Sequence, residues 1–325
     1  MPNKSFSVKI KHKIKPFSKT IKVDSDKSLS IRSFLLGSIC QNISTVNNVL
    51  ESGDVKSAIK TCQKLGVVIK KIRHKSYKIY GKGLGSLFIK KNAELNFGNS
   101  GTLARLLLGI LSTTPNINIK IKGDHSLNKR SMEKLINLLS KFGATFLPIN
   151  KYTFPLKMIS SEMPVGIKYK AGVSAQLKSA VLLAGLNSYG NTIIEEQIIS
   201  RDHTENLLMK NIQSIKITKN KKKIIKVKGK SYLNPLNLNI GGDPSSAAFF
   251  AALTLLNKNS TLKIKNVGLN PTRTGFYDIL KKQKVKINFK NIIKDNNEIR
   301  GDILIKSSKV KPMNVPASLY PRTTD

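Results

Sequence analysis

The chain of 325 residues has no tryptophan, two cysteines and four histidines. Cys40 and Cys62 cannot form a disulfide framework, and four scattered histidines support no metal site. So few thiols fit a reducing compartment, so a cytoplasmic location is expected. Long apolar runs are also missing. The stretch from Ser246 to Leu256 (SAAFFAALTLL) falls short of the roughly 20 residues a membrane-spanning helix needs. The basic start MPNKSFSVKIKHKIK is followed by no apolar core, which argues against a secretory signal. No membrane partner is expected. Aromatic residues make up only 6% of the chain, a modest supply for core packing. The length still suffices for one large or two ordinary domains.

Acidic residues are scarce relative to basic ones. Asp and Glu total 18 against 57 Lys and Arg, a formal charge of +39. Such an excess first suggests nucleic acid. Its distribution points elsewhere. Lysine is spread over the whole chain beside abundant Ile and Asn, which reads as a solvated surface with no dedicated partner. The runs Lys219 to Lys223 and Lys281 to Lys286 fit strand ends and turns. The eight arginines are more telling. Where lysine dominates, arginine marks places that need a planar, bidentate guanidinium. All except Arg73 and Arg300 fall in motif-like segments. Discrete oxyanion sites for small molecules fit this pattern better than a phosphate track, and no specific nucleic-acid partner is expected.

One pattern recurs four times: a strand, a Ser/Gly/Asp turn, then an apolar helix. The turn-and-helix segments are DKSLSIRSFLLGSIC from Asp26, GNSGTLARLLLGILS from Gly98, AGVSAQLKSAVLLAGL from Ala171 and GGDPSSAAFFAALTLL from Gly241. Their starts are 72, 73 and 70 residues apart. A second, more polar helix follows each, from Ser52, Ser131, Ser200 and Pro271. β-rich stretches such as INIKIKG and TLKIKNVG lie between. Each unit therefore reads as βαβαββ, and Ser or Thr at most helix starts supplies N-caps. The period is too long for a solenoid of helical hairpins and suits small α/β units around a shared core. A further start falls due near residues 312–325, where PASLYPRTTD ends the chain, so the sequence reads as cut at the threshold of a fifth unit.

The turns carry the chemistry. Asp26-Lys27-Ser28-Leu29-Ser30-Ile31-Arg32 opens a helix, whose free N–H groups favour anions. Lys27 and Ser28 stand at its mouth, and Arg32 lies just over one turn after Ser28 on the same side. Gly98-Asn99-Ser100-Gly101-Thr102 is a glycine loop able to cradle an anion through main-chain N–H groups, without the lysine of a Walker loop. Gly123 to Arg130 (GDHSLNKR) places Arg130 just before a helix, where its fork can hold a carboxylate or phosphate. Ser174-Ala175-Gln176 is another helix mouth. In Ser200-Arg201-Asp202-His203-Thr204-Glu205, the histidine lacks any nucleophile pattern and reads as structural.

Taken in order, DKSLSIR, GNSGTLAR, GDHSLNKR, SAQLKSA, SRDHTE and GGDPSSAAFF resemble the EPSP synthase family, from about Val23 to Asp325. The resemblance implies an α/β (α+β) enolpyruvyl transferase fold of two lobes, each of three βαβαββ units. Residues 25–240 would form one complete lobe, and residues 1–24 with 241–325 part of the second, the chain crossing near 24 and near 241. It implies transfer of the enolpyruvyl group of phosphoenolpyruvate to the 5-hydroxyl of shikimate 3-phosphate with release of phosphate, by a protein that is a monomer when full length and uses no cofactor and no metal. Lys27, Ser28, Arg32, Ser174, Gln176, Ser200, Arg201 and Asp325 match shikimate-3-phosphate positions. Lys27, Gly101, Arg130 and Gln176 match phosphoenolpyruvate positions. Lys27 and Asp325 match catalytic ones, Asp325 as the carboxylate that takes the hydroxyl proton.

By the same resemblance, Gly101 leaves room beside the phosphoenolpyruvate site, so inhibition by glyphosate is expected. Ile31 stands where the family often has His, and Ser131 where it often has Pro; neither change removes a charge. The family continues past Asp325 with Lys, Glu, Arg and His groups that complete the site. The alternative is therefore an inactive fragment or remnant. A related transferase acting on a UDP-amino sugar would need a catalytic loop cysteine, whereas Cys40 and Cys62 fall in predicted helices. An RNA-binding or RNA-end-processing protein on a similar fold would need aromatic residues grouped on a basic face, and the aromatics are not so grouped.

Overall fold

The computed structural model describes residues 7, 9, 12–220, 222–312 and 314–323. Among them the strands form four mixed sheets of four strands each. The sheets share one plan. A first strand runs parallel to a second; the second pairs antiparallel with the fourth, and the fourth with the third. Strands Glu94–Asn96, Asn118–Lys122, Thr145–Leu147 and Leu156–Ile159 build one such sheet. Strands Lys168–Ala171, Asn191–Glu196, Ile215–Lys219 and Lys223–Lys228 build another. Alternation drives them: Lys223–Lys228 alternates strictly between buried and exposed, as a sheet with one covered face requires.

The other two sheets exchange strands. Asn237–Asn239 is parallel to Thr45–Asn47, joining the sheet that contains Ile43–Asn47, Val68–Arg73 and Ser76–Tyr80. Ser18–Ile21 is parallel to Thr261–Ile264 in the sheet of Thr261–Gly268, Ile287–Asp295 and Glu298–Lys306. The strand preceding the first helix thus serves the fourth unit, and the strand preceding the fourth helix serves the first. The two crossing segments run side by side: Asp26 N donates to Gly241 O (2.9 Å) and Asp243 N to Asp24 O (2.8 Å).

The apolar helices are Lys27–Ile39, Gly101–Leu111, Ala175–Leu186 and Pro244–Leu256. Their caps are Asp26, Ser100, Ser174 and Asp243, each side chain accepting a first-turn N–H. The first three are buried on nearly all sides. Helix Lys27–Ile39 tolerates serines there because Ser30, Ser33 and Ser38 return their hydroxyls to Asp26 O, Ser30 O and Phe34 O. Gly109 lets its helix approach Ala175–Leu186 closely; a Cβ there would meet Ala180 O at 2.5 Å. Asn-rich composition serves the turns, where Asn42, Asn92, Asn116 and Asn150 all take φ near +60°.

The apolar side chains separate into two clusters. One runs from Leu29 to Ile240 around the three buried helices. The smaller, from Ala247 to Ile305, packs helix Pro244–Leu256 and helix Gly275–Lys282 on the fourth sheet. A polar network joins them at the crossing segments. Arg273 contacts Asp26 (3.2 Å), Asp243 (3.1 Å) and His203 Nε2 (3.4 Å), and His203 Nδ1 lies 2.8 Å from Glu298 Oε1. His203 is therefore structural, at the junction. No helix among the described residues is long and apolar enough to cross a membrane.

Candidate active site

The amino ends of helices Lys27–Ile39 and Ala175–Leu186 meet the turn carrying Arg201 around a cavity of about 180 Å³. Ser28, Arg32, Ser174, Gln176 and Arg201 line it. Arg32 is only 4% exposed. Its Nε donates to Thr204 Oγ1 (2.9 Å), Nη1 to Ser28 O (3.2 Å) and Nη2 to Ser179 Oγ (3.4 Å). Burial pulls the guanidinium down to about 10, with Asp26 and Glu205 opposing, so it stays charged at neutral pH. Ser174 caps its own helix by accepting from Leu177 N.

A second cluster adjoins the first. Gln176 Oε1 accepts from Arg105 Nη1 (2.9 Å), and its Nε2 donates to Thr102 Oγ1 (3.1 Å). Arg105 also donates to Gly101 O (3.2 Å). Arg130 Nη2 donates to Asn99 Oδ1 (2.8 Å) and Ser126 Oγ (3.2 Å). A Cβ on Gly101 would lie 2.7 Å from Arg105 Nη1 and 3.3 Å from Arg130 Nη1, so two guanidinium groups flank this backbone. Burial, and then Arg130, lowers the pKa of Arg105. Two like charges so placed are relieved by an anion between them. Gln176 bridges this cluster to the 180 Å³ cavity.

Some predicted residues are placed differently. Lys27 is half exposed, its Nζ 3.3 Å from Asp54 Oδ2 and outside the cavity lining. Ser200 is buried, with both its N–H and its hydroxyl given to Glu196 Oε1 (2.8 and 2.7 Å), so it lines the turn from behind. Asp325 lies outside the described residues. Sequence reasoning passed over Arg105 and Tyr320, which also lines the cavity. Arg105 stands among the arginines that the lysine background singles out, a signal that could have found it.

A larger cavity, about 720 Å³, opens at the other end of the same helices, near Gln41, Pro115 and Asn187. Helix carbonyl ends point there, beside Lys82 and Lys230, whereas the helix amide donors face the smaller cavity. Among the described residues no group of three His, Cys, Asp or Glu could hold a metal ion.

Both cysteines are buried, and burial pushes Cys40 up to about 12 and Cys62 to about 11. Neither is a nucleophile at neutral pH. Neither thiol is expected to react with a thiol reagent in the folded chain, and both should react in denaturant. Labelling followed by intact mass checks this, and fast labelling of the folded protein would overturn it.

Four sheets on a βαβαββ plan, with two helix mouths meeting at one cavity, define an enolpyruvyl transferase fold. The enolpyruvyl transferase NikO of Streptomyces tendae shares the fold, with a TM-score of 0.66 at 13% identity over 90% of this chain and 66% of that one. The EPSP synthase (3-phosphoshikimate 1-carboxyvinyltransferase) family model matches residues 11–324. The structure of EPSP synthase from Acinetobacter baumannii superposes with a TM-score of 0.83 at 34% identity, covering 94% of this chain and 68% of that one. The 3-phosphoshikimate 1-carboxyvinyltransferase of Zymomonas mobilis is 36% identical over 97% of this chain and 70% of its own length. That of a Sulfurihydrogenibium species is 39% identical over 94% and 72%. The chain belongs to the EPSP synthase family of enzymes.

Proposed function

We propose that this chain carries the enolpyruvyl-transfer site of its family, joining phosphoenolpyruvate to the 5-hydroxyl of shikimate 3-phosphate. The hydroxyl oxygen attacks C2 of the enol while C3 gains a proton and the hydroxyl gives up its own, and the tetrahedral adduct then loses phosphate together with a proton from C3, restoring the double bond. One observation carries the reading: the Arg32–Arg201 cavity and the Arg105–Arg130 cluster lie side by side and share Gln176. Arg32, Arg201, Ser28 and Ser174 take shikimate 3-phosphate in the 180 Å³ cavity. Gly101, Arg130 and the newly placed Arg105 take phosphoenolpyruvate. Lys27, once drawn off Asp54, reaches both. Ser200 supports the phosphate from behind, and Asp325 is the proton acceptor. The protein acts in the cytoplasm as a monomer, with residues 25–240 as one lobe and 1–24 with 241–325 in the other. Phosphate release requiring both substrates, and suppressed by glyphosate, tests this; release indifferent to shikimate 3-phosphate would sink it.

A second reading, binding of shikimate 3-phosphate without turnover, is favoured by one feature. Helix Pro244–Leu256, unlike its three buried counterparts, leaves Phe249 77% and Leu256 75% exposed. Full binding with no phosphate release would select it.

Gly101→Ala is expected to push the Arg105 and Arg130 side chains apart. Phosphoenolpyruvate affinity should fall about tenfold, as for one strained charge-assisted contact, while shikimate 3-phosphate changes less than about twofold. Calorimetric titration checks this. Equal loss for both ligands would contradict the division into two anion sites.

A further inference from the structure

Four ionisable side chains are buried behind the cavity. Lys178 Nζ lies 2.7 Å from both Glu196 Oε1 and Glu205 Oε1. Lys223 Nζ lies 3.2 Å from Glu196 Oε2 and 3.3 Å from Glu205 Oε1. Their side-chain exposures run from 0% to 5%. Burying such a cage costs desolvation that its Coulomb energy barely returns, and a well-packed apolar quartet serves stability as well. What the cage touches is therefore informative.

Three members, Glu196, Lys178 and Glu205, adjoin groups that hold Arg32 or the Ser200–Arg201 turn, and both arginines line the cavity. Glu196 Oε1 accepts from Ser200 N (2.8 Å) and Ser200 Oγ (2.7 Å), and Lys178 Nζ donates to Ser200 O (3.5 Å). Every polar atom of Ser200 thus ends on the cage, and Arg201 follows directly. Lys178 precedes Ser179, and Glu205 follows Thr204. Ser179 and Thr204 are bonded to each other (2.8 Å) and accept from Arg32 Nη2 and Nε. Three separate links therefore tie one neutral cage to Arg32 and to the Arg201 turn.

We propose that Glu196, with its cage partners Lys178, Glu205 and Lys223, positions the recognition of a phosphomonoester dianion by fixing the Ser200–Arg201 turn and Arg32 against one cavity. This rests on the shikimate-3-phosphate reading above and deepens it. Glu196 touches no substrate; it acts through Ser200. It stays ionised because Lys178 and Lys223, with the Ser200 amide, outweigh the burial that would raise its pKa.

The test uses the full chain and two probes, shikimate 3-phosphate and shikimate, which differ only by the phosphate. The ratio of their dissociation constants isolates phosphate recognition. Glu196→Ala is expected to shrink that ratio about tenfold or more, as for a lost charge-assisted contact, with shikimate itself unchanged. Glu196→Gln, whose amide oxygen still accepts from Ser200, should fall between. Thr204→Val keeps the four charges and removes the hydroxyl that accepts from Arg32 Nε and bonds Ser179; it should lower the ratio too, and it decides the matter if Glu196→Ala does not fold. An unchanged ratio in the folded variants, or equal loss for both probes, overturns the proposal. If the unaltered chain binds neither probe, the substrate assignment falls. The cage is then judged by hydrogen exchange at the Ser200 amide, expected to quicken in Glu196→Ala or Glu196→Gln; no change there overturns it.

Discussion

Arg273→Met is expected to lower the unfolding free energy by about 3–5 kcal/mol, the cost of stripping a buried carboxylate of its cation. Arg273 reaches Asp26 Oδ2 at 3.2 Å and Asp243 Oδ1 at 3.1 Å, and these acids cap helices Lys27–Ile39 and Pro244–Leu256. One guanidinium thus braces both crossings of the chain and, through His203, the Glu298 strand. Burial would raise the Asp26 carboxyl, but Arg273, then His203, the Leu29 amide and Arg32 hold it below its ordinary value of 3.8. A carboxyl depressed in the folded state stabilises above its unfolded pKa and loses that contribution as pH falls through the lower folded value. The unaltered junction should therefore weaken only below about pH 4, following the ordinary carboxylate value. In Arg273→Met the burial of Asp26 is no longer opposed by its main cation, so the acid loss should begin at higher pH. Urea unfolding followed by circular dichroism across pH measures both effects. A change under about 1 kcal/mol at neutral pH would mean the junction is carried by other contacts. Asp26→Asn in the Arg273→Met background should recover part of the loss, because the more deeply buried of the two carboxylates is no longer left bare.

Local chemistry was legible in the sequence and long-range pairing was not. Asp26, Ser100, Ser174 and Asp243 announce four helix starts because an N-cap bonds only two or three residues ahead. The loop at Gly101 and the arginines at 32, 130 and 201 were readable because lysine is the default base of this chain. The exchanged strands could not be read from pattern alone: Asn237–Asn239 is three residues long and finds Thr45–Asn47 only through the tertiary fold. Lys178 and Lys223 correct the reading of lysine as solvated surface. Their acids, Glu196 and Glu205, are 18 residues or more away, and nothing local distinguishes a caged lysine from a wet one. The same limit hid the pairing of Lys27 with Asp54.

Arg32→Met is the variant in which binding and stability should part company. The guanidinium is aimed at the 180 Å³ cavity, and burial has already pulled it down to about 10, so the fold disfavours its charge. Methionine fills much of the same volume without that penalty. The partners left behind are not orphaned, since Ser179 Oγ and Thr204 Oγ1 already bond each other at 2.8 Å. Stability should therefore hold or rise, as at other sites where function works against the fold. Shikimate-3-phosphate affinity should fall about a hundredfold, on the order of 3 kcal/mol for losing a desolvated, bidentate-capable cation. Arg32→Lys should cost about tenfold, because an ammonium keeps the charge and loses the fork that rests on Thr204. Calorimetric titration and thermal melts on the same preparations read both sides. If Arg32→Met binds as the unaltered chain does, this cavity is not where the phosphate goes. If it unfolds instead, Arg32 is a structural brace, and the anion chemistry must be sought at Arg105 and Arg130.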